Sequence, residues 1–125
     1  MADFTIAVAL VMKHEGGYTA GLAGDPGGET NYGIAKRFHP DLDIQNLTVE
    51  QAKDIYHNEY WRFDDVQDQS AANCLLDCAV NQGLAFALHI RGLSLKEIQV
   101  ARLQRYADLN KPQFYHSWFS RTLDV

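Results

Sequence analysis

The sequence predicts a mainly α-helical domain interrupted by one glycine-rich segment that is a loop or a small β-hairpin. Three observations predict this fold class. Apolar residues recur at helical spacing in several stretches. Two capping-box patterns, Thr48 with Gln51 and Ser94 with Glu97, each open a helix, and most of the nine glycines fall between residues 16 and 34. The 125 residues suffice for one domain that buries roughly two thirds of its unfolded surface.

The first helix is predicted from Phe4 to Glu15, where Gly16 and Gly17 end it. Its apolar run is not a signal peptide, because no basic segment precedes it and no small-residue cleavage site follows. It is also too short to span a bilayer. We therefore expect synthesis in the cytoplasm without a signal peptide, and no membrane insertion.

The segment from Gly17 to Ile34 is predicted to be an irregular loop or a short hairpin, because its glycines and Pro26 disfavour a long helix. Loops of this length in compact domains are usually functional or disordered. A functional role is favoured by its polar and aromatic side chains, which are Tyr18, Asp25, Glu29, Thr30 and Tyr32.

Helices are predicted through the remainder of the chain. One begins after Thr48, and the almost wholly apolar stretch Ser70–Arg91 predicts a central buried helix. Another begins after Ser94, and Pro112 can start a last helix that ends near Arg121.

Charge and cysteine content narrow the functional classes. A net charge of -5 argues against a nucleic-acid partner, since such proteins usually carry a basic face. Cys74 and Cys78 lie four positions apart on one helical face, where buried thiols are expected. Because further ligands at regular spacing are missing from the pattern, no metal or cofactor is predicted.

Glu15 is the most informative single residue. At the end of the first helix its carboxyl group meets the negative end of the helix dipole, which favours the protonated acid. A protonated carboxylic acid is what glycoside hydrolysis needs to protonate the leaving oxygen. An ordinary surface glutamate at a helix end fits the same pattern, so Glu15 alone decides nothing.

A second polar group is predicted in the glycine-rich segment, because glycosidases use two carboxylates that flank the scissile bond. Asp25 follows Glu15 by ten positions, and Thr30 follows Asp25 by five. If the chain doubles back here, Asp25 can activate a water or stabilise charge on the sugar ring, and Thr30 can hold that water. The run Asp25–Gly28 also fits plain turn chemistry.

Two motifs carry a family resemblance. Residues 15–18 read Glu-Gly-Gly-Tyr and residues 27–34 read Gly-Gly-Glu-Thr-Asn-Tyr-Gly-Ile. Together they resemble the N-acetylmuramidases of glycoside hydrolase family 108, which include phage endolysins, and the likeness extends over about residues 4 to 85. The resemblance implies a lysozyme-like fold and a catalytic Glu15. It also places Glu15, Asp25 and Thr30 on the catalytic triad of phage-type lysozymes.

The resemblance further implies the reaction and its setting. The expected reaction is hydrolysis of the β-1,4 bond between N-acetylmuramic acid and N-acetylglucosamine in a peptidoglycan strand, by a monomer acting without cofactor. The enzyme would reach the cell wall after holin-type release or from a phage particle. Residues 1–125 are expected to form a single domain, in which about 92–125 are a shortened version of the family's carboxyl-terminal portion. The loop before Asp25 is about one residue longer than the family pattern and lacks its Asn-Asp-Pro stretch.

Five side chains are predicted to bind substrate. Tyr18, Glu29 and Tyr32 flank the expected cleft, although the two tyrosines fit a core position equally well. Asp77 and Asn81, with Asn73, form a polar stripe on the central helix. That stripe is either solvated or lines the cleft floor, with Asn81 reaching an acetamido group and Asp77 fixing a neighbouring loop.

Three other functions stay open. A lytic transglycosylase also needs one main acid, and a peptidoglycan-binding or regulatory protein keeps the groove without turnover. An interaction domain would use the central helix for a partner protein. For the hydrolase, inversion is expected if the two carboxyl groups lie about 6.5–9.5 Å apart, and retention at about 5 Å.

Overall fold

The computed structural model describes residues 1–21 and 28–125, and the described part is mainly helical with a small antiparallel sheet. This confirms the predicted fold class and is consistent with a lysozyme-like fold. The α-helices are α1 (Phe4–His14), α2 (Val49–Glu59), α3 (Gln69–Gln82), α4 (Leu84–Ile90), α5 (Leu95–Asp108) and α6 (Tyr115–Asp124). The strands are β1 (Thr30–Asn31) and β2 (Ile34–Ala35), and a 3₁₀ turn (Pro112–Phe114) precedes α6.

Both predicted capping boxes are present. The Thr48 hydroxyl accepts a hydrogen bond from the Gln51 backbone N–H at 3.1 Å, and the Gln51 side chain accepts one from the Thr48 N–H at 2.9 Å. Ser94 and Glu97 make the same reciprocal pair at the start of α5. Each box satisfies two backbone donors that the helix itself leaves unpaired, so local sequence fixes these two starts.

Helix α3 forms the centre of the molecule, with α1, α4, α5 and α6 packed around it. Its residues from Ala71 to Ala79 are all buried. Cys74 and Cys78 lie within this run as free thiols, and burial raises the pKa of Cys78 to about 12. The predicted burial of both cysteines is confirmed, but Cys74 is not a purely apolar group, because its Sγ accepts a hydrogen bond from Arg102 Nη1 at 3.3 Å.

The prediction of one continuous helix over Ser70–Arg91 is wrong. Gly83 has φ 100° and ψ 142°, which are not helical values, so α3 ends before it and α4 begins after it. Only glycine enters this region of φ without strain. An isolated glycine in an apolar helical pattern is often tolerated inside a helix, so the pattern alone did not indicate the break.

Candidate active site

Glu15 is the first residue beyond α1. Its backbone N–H still donates to the Met12 carbonyl at 3.2 Å, but its ψ of 142° turns the chain out of the helix. The Glu15 side chain is only 16% exposed. The helix therefore delivers a largely covered carboxyl group at the point where the chain changes direction.

The segment after Glu15 is closed by a β-hairpin. Tyr32 and Gly33 have φ values of 52° and 78° and form the two-residue turn between β1 and β2. The Tyr32 N–H donates to the Gly16 carbonyl at 3.2 Å, and Thr19 pairs with Thr30 through two backbone hydrogen bonds of 2.9 Å. The predicted hairpin is thus present, and it folds back onto the residues that follow α1.

The hairpin turn lies directly against the Glu15 carboxyl group. A Cβ atom added to Gly33 would lie 2.7 Å from both Cδ and Oε2 of Glu15, and 2.7 Å from the Tyr56 hydroxyl. That hydroxyl donates to the Tyr32 carbonyl at 2.5 Å, and burial raises the pKa of Tyr56, which keeps it a protonated donor. The absence of a side chain at Gly33 is therefore what lets the turn approach Glu15.

The other carboxyl oxygen of Glu15 is held by α6. Arg121 donates from Nη2 to Glu15 Oε1 at 2.8 Å and from Nε to Asp77 Oδ1 at 2.9 Å. Asp77 Oδ2 accepts from Arg102 Nη2 at 2.8 Å, and both of these side chains are 0% exposed. Glu15, Arg121, Asp77 and Arg102, which we call the ion network, thus alternate in sign from the protein surface into the core.

Comparison with known proteins assigns the chain to a family. Residues 8–83 match the family described as Glycosyl hydrolase 108. The chain belongs to glycosyl hydrolase family 108. The resemblance inferred from the two motifs is thereby confirmed, and membership supports a glycoside hydrolase. Among curated proteins, none matches this sequence.

A solved structure shares the fold with this family 108 chain. It is the structure of SagA from Brucella abortus, which superposes with a TM-score of 0.69 at 26% identity. The match covers 95% of this chain and 88% of that one. The similarity therefore extends past residue 83, where the family match ends, into α5 and α6.

The residues predicted in the glycine-rich segment are placed as follows. Asp25 lies outside the described residues. Thr30 lies on β1 with its hydroxyl 3.0 Å from that of Thr19. The exposed Tyr18 hydroxyl donates to Glu29 at 2.5 Å, a hydrogen bond that raises the pKa of Tyr18. Tyr18 and Glu29 therefore form one polar pair beside the hairpin, while the part of the hairpin that contacts Glu15 is the turn.

The polar stripe on α3 is not solvated along its length, so that interpretation is wrong for two of its members. Asn73 is 6% exposed and Asp77 is 0% exposed, because neighbouring helices pack around α3. Asn81 is exposed and donates to Asp77 Oδ1 at 3.2 Å. Asp77 thus binds neighbouring side chains and is not accessible to a sugar, whereas Asn81 is accessible.

Sequence reasoning missed Gly33, Tyr56, Arg102 and Arg121 as parts of this site. Glu15 and Arg121 are 106 positions apart, a separation that no local spacing reveals. Arg102 had a readable signal, because it lies four residues from Ile98 and from Tyr106 on the buried face of α5. A charged residue in an apolar stripe needs a buried partner of opposite sign, which Asp77 supplies.

Neither a metal site nor a membrane span is found in the part of the chain that the structure describes. Residues 1–21 and 28–125 contain no group of three His, Cys, Asp or Glu side chains placed to hold a metal ion. No helix within those ranges has the length and apolar character needed to cross a membrane.

The close approach at Gly33 gives a testable prediction. We expect Gly33→Ala to lower the free energy of unfolding by about 1–3 kcal/mol, because alanine is strained at positive φ and its Cβ meets Glu15. Displacing Glu15 by about 1 Å should also reduce turnover on the order of a hundredfold. Denaturant unfolding and a peptidoglycan-release assay measure the two effects.

Gly92→Ala is the matched control, because an added Cβ there meets nothing within 4 Å. Equal stability and equal activity of the two alanine variants would show that the turn does not constrain Glu15.

Proposed function

We propose that this protein hydrolyses the β-1,4 bond between N-acetylmuramic acid and N-acetylglucosamine in peptidoglycan, with Glu15 as the general acid. Family membership supports peptidoglycan hydrolysis in general. The observation that carries the choice of acid is the Glu15 carboxyl group, which is 16% exposed and lies between the hairpin turn and Arg121. It is the glutamate of the Glu-Gly-Gly-Tyr motif.

The proposed reaction uses the two oxygens of Glu15 differently. At rest the Glu15 carboxylate pairs with Arg121 through Oε1, and in the proposed reaction Glu15 takes up on Oε2 the proton that it then donates. Glu15 gives this proton to the glycosidic oxygen as the bond from that oxygen to the anomeric carbon breaks. A water molecule adds its oxygen to the anomeric carbon and releases a proton to a base, which leaves the sugar product neutral. Glu15 takes up a proton again before the next turnover.

The second group in the proposal is Asp25, chosen from the sequence pattern as the base that activates this water. Thr30 is proposed to hold the same water. Tyr18, Glu29 and Asn81 are proposed to contact the sugars, since their polar atoms lie at or near the surface around the hairpin and the end of α3. Delivery to the cell wall by holin-type release or with a phage particle, and a monomeric state, stay predictions.

Mass spectrometry of muropeptides tests this function. Purified peptidoglycan is digested with the wild type and with Glu15→Gln, and the new ends are identified. We expect reducing N-acetylmuramic acid ends from the wild type and product release from the variant that is slower by about 10²–10⁴-fold. Anhydro-muramic acid ends would identify a lytic transglycosylase instead, reducing N-acetylglucosamine ends would overturn the bond assignment, and equal release by both proteins would overturn the role of Glu15.

A further inference from the structure

The ion network reaches Glu15 from a part of the chain that the family match does not cover. The match ends at residue 83, whereas Arg102 lies on α5 and Arg121 on α6. We propose that Arg121 is the positioning residue for the catalytic acid, so that the carboxyl-terminal helices complete the active site. This inference rests on the proposed function of Glu15.

Arg121 fixes one oxygen of Glu15 while the hairpin limits the other. The Glu15 side chain has three rotatable bonds and follows the last residue of α1, where the backbone alone does not hold it. The 2.8 Å bond from Arg121 Nη2 fixes Oε1, and the close approach of Gly33 limits the movement of Oε2. Together these contacts select one orientation of the acid before substrate binds. Such preorganisation lowers the activation barrier of the chemical step.

Arg121 is itself held by groups that are more deeply buried. Its Nε donates to Asp77, which is 0% exposed and is fixed in turn by Arg102. A planar guanidinium bonds two carboxylates at once through different N–H groups, which a lysine ammonium cannot do with the same rigid geometry. Arg121 therefore connects Glu15 to buried side chains in the core of the protein, which fix its position.

Helix α6 is docked independently of Arg121. Trp118 stacks on Tyr106 of α5 with ring centroids 4.7 Å apart, and His14 at the end of α1 lies 2.8 Å from Asp124. Substitution of Arg121 therefore leaves other contacts that keep α6 in place, and Asp77 keeps Arg102 as its partner. A folded Arg121 variant is expected for this reason.

Steady-state kinetics on soluble glycan oligomers prepared from peptidoglycan test the proposal. We expect Arg121→Gln to lower kcat by about a hundredfold with little change in KM, because a misplaced acid slows the chemical step. Arg121→Lys should recover part of that loss, since it restores the charge without the planar fork. Arg91→Gln is the matched control, because Arg91 pairs with Asp65 at the surface.

The outcomes separate this proposal from the proposed function. Loss of activity in Glu15→Gln together with wild-type kcat in a folded Arg121→Gln variant would overturn the positioning role alone. Activity retained by Glu15→Gln would overturn the proposed function first. If Arg121→Gln does not fold, Arg121→Lys keeps the charge next to Asp77, and wild-type kcat in that variant would overturn the role of the guanidinium fork.

Discussion

Replacement of Glu15 with glutamine is expected to lower kcat by about 10²–10⁴-fold, the usual contribution of a positioned general acid. Glutamine has nearly the same shape, and its carbonyl oxygen can still accept the hydrogen bond from Arg121 Nη2. What it loses is the proton that Glu15 is proposed to give to the glycosidic oxygen. Release of soluble fragments from purified peptidoglycan, with a thermal melt to verify folding, measures the effect.

Glu50→Gln serves as the matched control for this variant. Glu50 lies in the exposed first turn of α2. Its substitution makes the same change of a carboxylate to an amide. We expect it to keep wild-type turnover. Comparable activity in the two glutamine variants would remove Glu15 from the mechanism, whatever the nature of the products.

The second large effect is expected at Asp77, where Asp77→Asn should lower the free energy of unfolding by about 3–5 kcal/mol. Asp77 and Arg102 are both 0% exposed, so the substitution leaves a buried guanidinium without its counter-charge. The remaining partners of Arg102 include the Gln82 side chain and the Cys74 carbonyl, which are neutral. A fall in Tm on the order of 10–20 °C should follow for a domain of this size.

Asp65→Asn is the control for Asp77→Asn, because it breaks an Arg–Asp pair in which Asp65 is 71% exposed. Exposed pairs contribute about 1 kcal/mol or less. The double variant Asp77→Asn/Arg102→Met should regain most of the lost stability, since it removes the unpaired charge as well. If Asp77→Asn were as mild as Asp65→Asn, the inner half of the ion network would not stabilise the fold.

The helices were predictable because their signals are local. The boxes at Thr48 and Ser94 each involve residues three positions apart, and those two helix starts follow from them directly. The end of α1 lies within one residue of the prediction because two glycines follow Glu15. The break at Gly83 was not predictable from the same signals, because it depends on a positive φ that the surrounding packing selects.

Only the part of the candidate site that is contiguous in sequence, Glu15 and the hairpin after it, was predictable. Glu15 and the hairpin lie within a short stretch whose residue types already indicate an acid and a turn. Arg121 comes to Glu15 because α6 packs on α5 and α3, a consequence of tertiary packing. Asp77 could be placed on a helix face, but whether that face meets water or another helix depends on α5 and α6.

The low exposure of the whole ion network should make it insensitive to ionic strength. The Glu15–Arg121 pair is 16% and 18% exposed, and the Asp77–Arg102 pair is 0% exposed. Dissolved ions screen solvent-exposed charges over about 8 Å at physiological salt, and screen buried or partly buried pairs much less. Added sodium chloride should therefore weaken surface pairs such as Asp65–Arg91 while leaving the Glu15–Arg121 contact, and the melting transition, nearly unchanged.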